Sequence, residues 1–205
     1  MSRLRRLVLV RHGETVGNSS VRLHGSADLP LSDEGREQMR RAGRELRGEP
    51  FELVVASSMR RSWEGAAIVT AGAPIRLESD FREIDFGRWE GLTAEEVESA
   101  DPLLYRDWVG GVAGFEYPDG EPRAAFRSRI ERGLERLKQS DVHSALVVVH
   151  KGVIRTIFNL LLGEPIADTE APPLGGRVTL SRGSDDRWRE GLRSSDPPAL
   201  VELAG

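Results

Sequence analysis

Apolar residues in this chain gather into short unbroken runs, and each run gives way abruptly to polar residues. Leu7-Val-Leu-Val10 and Ala145-Leu-Val-Val-Val149 carry no polar alternation, the pattern of strands covered on both faces. Residues 51–56 predict another buried strand, and residues 74–77 a short one. Elsewhere the apolar spacing lengthens to that of a helix. Ser32 reads as an N-cap with Asp33 and Glu34 in the first turn, opening a helix to about residue 47. Residues 59–71 predict a second helix, and Phe126, Ile130, Leu134 and Leu137 mark a third that starts near residue 123. A fourth follows Gly152 and runs through Leu162. Residues 177–180 and 187–192 read as late strands able to form a hairpin across residues 183–186. Strands alternating with helices predict an α/β fold: a three-layer domain whose mostly parallel central sheet is flanked by helices.

Two stretches do not fit this alternation. Residues 78–92 show no period but hold Glu83, Asp85, Phe86, Gly87, Trp89 and Gly91. Residues 92–119, rich in Gly and aromatic residues from 101 onward, read as a variable, lid-like excursion in which Trp108, Phe115 and Tyr117 either line a substrate or anchor the loop. The tail from Ser194 is Pro-rich and reads as loosely ordered. The 205 residues suit one domain, and 39% apolar with 30% charged residues is an ordinary balance for a soluble protein. A formal charge of −4 argues against a nucleic-acid partner. With no cysteine, disulfides and thiolate metal sites are excluded. The four-residue apolar run after Arg3, Arg5 and Arg6 is shorter than the roughly 7–15 residues of a signal sequence, so a cytoplasmic protein without membrane attachment is expected.

The chemistry lies at the strand ends. Two of the most apolar runs each end in a histidine, His12 and His150. In an open parallel sheet ligands bind beyond the carboxyl ends of the strands, so both histidines face one mouth. Arg11, Asn18 and Arg61 join them, and arginine's planar fork suits phosphate oxygens. Glu83, the carboxylate placed in this anion site, is suited to protonate a leaving alkoxide.

These residues sit in blocks whose order resembles the histidine phosphatase superfamily, also called phosphoglycerate-mutase-like. Leu9-Val-Arg-His-Gly-Glu-Thr15 resembles its signature; His24-Gly-Ser-Ala-Asp-Leu-Pro-Leu-Ser32, Ser57-Ser-Met-Arg-Arg61 and Glu83-Ile-Asp-Phe-Gly-Arg-Trp-Glu-Gly91 resemble later blocks. Gly120-Glu121 with Arg129, and His150 with Gly152 and Arg155, complete the order across residues 7–155. The resemblance implies a phosphoglycerate-mutase-like fold and one catalytic domain spanning residues 1–205. It implies that His12 is the nucleophile, that Arg11, Arg61 and His150 hold the transferring phosphoryl group, and that Glu83 is general acid and base. Asn18, His24, Gly25 and Lys151 are implied as further phosphate or substrate contacts, with no metal and no organic cofactor. Arg61 is preferred to its neighbour Arg60, and Glu83 to Asp85 and Glu90, on the register of the blocks. The chain departs from the family pattern at Gly65 in place of Thr, His24 in place of Gln, and Lys151 in place of Gly. The implied activity is metal-independent hydrolysis of a small phosphorylated metabolite through a phosphohistidine. The alternatives are a cofactor-dependent phosphoglycerate mutase, disfavoured by the short acidic segment 92–119, and a non-catalytic phospho-ligand-binding relative.

Overall fold

The computed structural model describes residues 2–194, and the Pro-rich tail expected to be loose lies, beyond Ser194 itself, outside them. Six strands form one sheet in the order β3-β2-β4-β1-β5-β6: β1 (Arg6–Arg11), β2 (Leu53–Ser57), β3 (Arg76–Glu78), β4 (Ser144–Val149), β5 (Arg177–Arg182) and β6 (Trp188–Arg193). The first four run parallel, whereas β5 and β6 are an antiparallel hairpin added beside β1.

Period-two alternation sends β1, β2 and β4 side chains to opposite layers. Leu7, Leu9, Val55, Val147 and Val149 pack with α5 (Arg123–Lys138) and α6 (Lys151–Leu162). Val8, Val10, Val54, Leu146 and Val148 pack with α1 (Asp33–Glu45) and α2 (Arg60–Val69). Helices on both faces explain why these strands read as continuous apolar runs. The helix signals carry through as well. Ser32 caps α1 by accepting from the Gly35 amide at 3.0 Å, and α6 ends at Gly163 in the left-handed conformation. Gly65 on α2 leaves room for Met39 of α1, whose Cε would stand 3.0 Å from a side chain there.

Residues 92–119 are more regular than their composition suggests. They hold α3 (Ala94–Ala100), opened by a capping box between Thr93 and Glu96, and α4 (Pro102–Val109). A third apolar cluster anchors them: Trp89 is fully buried, stacks on Phe115 at 5.7 Å and meets Trp108 at 5.5 Å. Of the two roles open to the aromatics, Trp108 and Phe115 take the anchoring one. No helix of the described residues is long and apolar enough to cross a membrane.

Candidate active site

The parallel register of β1 and β4 builds the centre of the site. Arg11 pairs with Val149, so the next residues, His12 and His150, leave the sheet side by side. Their rings stand edge to face, 5.1 Å apart, and the His12 amide donates to the Val149 carbonyl at 2.9 Å. β2 contributes from the other side of β4: Ala56 pairs with Val148, which brings Ser57 level with the end of that strand.

Hydrogen bonds assign the tautomers. His12 Nδ1 donates to the Gly13 carbonyl at 2.7 Å, leaving the lone pair on Nε2. His150 Nδ1 accepts from Arg61 Nε at 3.3 Å, so its proton sits on Nε2 and points to Ser57 Oγ at 2.9 Å and Ser62 Oγ at 3.3 Å. Ser57 and Ser62 are fully buried, and neither is among the site residues expected from the sequence. The signal for Ser57 was the block Ser57-Ser-Met-Arg-Arg61, which Ser62 directly follows.

Both imidazoles are held well below the ordinary range. For His12 burial is the largest cause, then the charges of Arg61 and Arg11, against an opposing pull from the Gly13 bond. For His150 burial again leads, followed by Arg61. His12 is therefore a neutral base at neutral pH. Because the unfolded chain protonates these groups near the ordinary value of 6.5, it takes up protons that the native state refuses. The stability tied to the neutral rings is thus present above that pH and is lost as pH falls towards the depressed native values. Thermal melts are expected to show the melting temperature falling as pH drops below about 6.5, less steeply in His150→Asn. A wild-type melting temperature flat over that range contradicts neutral burial.

Arg61 is fully buried, whereas its neighbour Arg60 lies on the surface, paired with Glu64 at 2.6 Å. Besides His150, Arg61 donates to the carbonyls of Ala27 at 2.7 Å, His24 at 3.1 Å and Gly25 at 3.0 Å. It straps the 24–27 loop to the second histidine. Arg11 ends β1, with Nη1 donating to Pro172 O at 3.3 Å. It shares with Lys151, Ser20, Gln38 and Gly175 a cleft of about 930 Å³.

Glu83 reaches the site from the loop after β3 and is 9% exposed. Its Oε1 accepts from the Ile84 amide at 3.0 Å and its Oε2 from the Gly152 amide at 2.9 Å. A Cβ on Gly152 would stand 2.4 Å from Oε1. Gly152→Ala is expected to displace the carboxylate and lower kcat about tenfold to a hundredfold, read by steady-state kinetics on protein shown to be folded. Unchanged kcat would mean that Glu83 does not need this position. The loop itself is locked by Arg129, which pairs with Glu121 at 2.7 Å and donates to the carbonyls of Asp80, Arg82 and Glu83.

Glu90, which competed with Glu83 in the sequence, serves as a clamp, accepting from the amides of Gly25, Ser26 and Phe86. Gly25, expected as a phosphate or substrate contact, has its amide held by Glu90 and its carbonyl by Arg61. His24 donates from Nε2 to the Gly17 carbonyl at 2.7 Å, closing the 17–24 loop. Asn18 is exposed in that loop at φ 59°, a conformation asparagine tolerates well. Buried Glu14 holds the loop through the amides of Thr15 and Ser20. Lys151 opens α6 with no left-handed backbone angle, so nothing there requires the glycine it replaces. Among the described residues no trio of His, Asp and Glu side chains is grouped as a metal site would need.

The model of the histidine phosphatase superfamily (branch 1) matches residues 7–190. The chain belongs to that superfamily. Among its relatives, a glucosyl-3-phosphoglycerate phosphatase of Mycolicibacterium vanbaalenii is 34% identical, over 85% of this chain and 80% of its own. An adenosylcobalamin/alpha-ribazole phosphatase of Salmonella typhimurium is 33% identical over 79% and 82%, and phosphoserine phosphatase 1 of Hydrogenobacter thermophilus 30% identical over 77% and 76%. The fold superimposes on the crystal structure of the alpha-ribazole phosphatase from Shigella flexneri with a TM-score of 0.79, at 26% identity over 93% of this chain and 96% of that one. The native mycobacterial glucosyl-3-phosphoglycerate phosphatase also gives 0.79, at 26% identity over 93% and 99%. The three-layer, phosphoglycerate-mutase-like architecture expected from the sequence is thus that of this histidine phosphatase.

Proposed function

We propose that this histidine phosphatase is a phosphomonoesterase that carries the phosphoryl group of a small phosphorylated metabolite on His12 and uses no metal. The observation that carries the reading is the pairing of a buried neutral His12, its Nε2 lone pair available, with Glu83 held by two backbone amides. Nε2 attacks phosphorus as the P–O ester bond breaks, and Glu83 in its acid form gives its proton to the departing oxygen. Glu83 then takes a proton from water, whose oxygen attacks the phosphohistidine; the P–N bond breaks and inorganic phosphate leaves. Charge gathering on the phosphoryl oxygens is met by Arg11, with the buried guanidinium of Arg61 and the His150 ring it is bonded to set behind it. Lys151 lines the cleft that holds Arg11 and adds positive charge on the phosphoryl side, and Asn18, exposed in the neighbouring loop, is a further neutral donor.

The relatives' names support a small-molecule ester: a glucosylated phosphoglycerate, a ribazole phosphate and phosphoserine. Purified protein incubated with p-nitrophenyl phosphate and a panel of phosphorylated metabolites is expected to release phosphate undiminished by excess chelator. Activity abolished by chelator would overturn the metal-free reading. Bisphosphate-dependent isomerisation without phosphate release would shift it to a mutase.

A further inference from the structure

A second cavity, of about 410 Å³, opens between the start of α5, α6 and residues 165–166. Ile84 and Gly152 line it, and these are the two residues whose amides hold the Glu83 carboxylate. The larger cleft at Arg11 and Lys151 is lined by neither of them. That difference orients the substrate. In an in-line displacement the leaving oxygen lies opposite His12 Nε2 and within reach of its proton donor. The group attached to that oxygen therefore extends past Glu83, into the smaller cavity.

The polar lining of this cavity is markedly cationic. Arg123, Arg127 and Arg155 contribute to it, with no Asp or Glu among its lining residues. Arg127 is fixed by Asn159 Oδ1 at 2.6 Å, and Arg155 by the Ile166 carbonyl at 3.1 Å. Arg123 is anchored through its backbone, its amide donating to Glu116 Oε2 at 2.8 Å, while its guanidinium makes no hydrogen bond or ion pair within the described residues. Tyr117 forms a further wall. Its hydroxyl is held above the ordinary range, by burial first and then by the charge of Glu83, against the opposing pull of Trp108, Arg123 and Arg155. It stays a protonated donor, close enough to both Glu83 and Arg123 to feel their charges.

We propose that this cavity is the leaving-group subsite, and that Arg123 with Tyr117 selects phosphoesters whose alcohol portion carries a carboxylate. The inference rests on the phosphomonoesterase reading above and narrows it. Among the substrates in the relatives' names, it favours the phosphoglycerate and phosphoserine type over ribazole phosphate, whose leaving group bears no negative charge.

The test compares 3-phosphoglycerate with glycerol 3-phosphate, on the wild-type chain and on Arg123→Gln and Arg123→Lys. The wild type is expected to favour the acid in kcat/KM by about tenfold or more, the worth of one charge-assisted contact. Arg123→Gln is expected to lose that preference, mainly through KM, with glycerol 3-phosphate changed less than about twofold. Arg123→Lys is expected to restore part of it, since lysine returns the charge without the fork. No wild-type preference, or equal loss on both substrates in Arg123→Gln, overturns the proposal. If the wild type hydrolyses neither ester nor any in the wider panel, the phosphomonoesterase reading itself fails, and calorimetry with glycerate and glycerol decides the cavity separately. Glycerate bound by the wild type but not by Arg123→Gln, with glycerol bound by neither, upholds the carboxylate site; no glycerate binding overturns it.

Discussion

His12→Ala is expected to cut phosphate release by on the order of 10⁴-fold or more, because it removes the atom to which the phosphoryl group is transferred. The neighbouring charges can still bind and polarise a phosphoester, so KM is expected to move far less than kcat. The ring is buried, and its Nδ1 is already committed to the Gly13 carbonyl, so nothing else in the mouth offers an equivalent nucleophile in the same geometry. His150, the other imidazole within reach, has Nδ1 occupied by Arg61 and Nε2–H directed at Ser57. Rapid acid-free quenching of the wild type with labelled substrate is expected to leave a base-stable phosphoryl group on His12, absent from the variant. A variant within tenfold of the wild type, with label elsewhere, would assign the nucleophile to another residue.

The second large effect concerns the carboxylate. Glu83→Gln keeps the shape but neither gives nor takes the proton, and is expected to lower kcat on alkyl phosphates by about 10²- to 10⁴-fold. With p-nitrophenyl phosphate the leaving group departs without a proton, so the first step is largely spared. Water activation still suffers, and a burst of nitrophenol followed by slow turnover is the expected trace. Equal losses on both substrates with no burst would place Glu83 in binding rather than in proton transfer.

Much of this was legible along the chain. Continuous apolar runs at residues 7–10 and 145–149 could belong only to strands covered on two faces, and the histidines after them follow from position alone. The Ser32 cap and the hairpin across residues 183–186 were equally local. Residues 92–119 were harder. α3 and α4 are short, and their order comes from Trp89 and Phe115, residues outside both helices whose stacking no period encodes. The partners of Gly25 and His24 were not legible for a related reason: a residue beside the phosphate site in sequence is engaged by whichever partner folding brings to it. For Gly25 that partner is Glu90, 65 positions away.

Residue type and order determined the layered α/β fold, the family and the chemical inventory of His12, Arg11, Arg61, Glu83 and His150, because each is written in local pattern or in a motif. Tertiary structure decided what each of these does beside the others. The Arg11–Val149 register aligned the two histidines, and hydrogen bonds to the Gly13 carbonyl and Ser57 Oγ and from Arg61 assigned their protons. Packing of α6 against the Glu83 loop brought the Gly152 amide to the carboxylate and opened the arginine-lined cavity beside it. Proton positions and cavity walls depend on distances between segments far apart in the chain, and such distances exist only once the layers have closed.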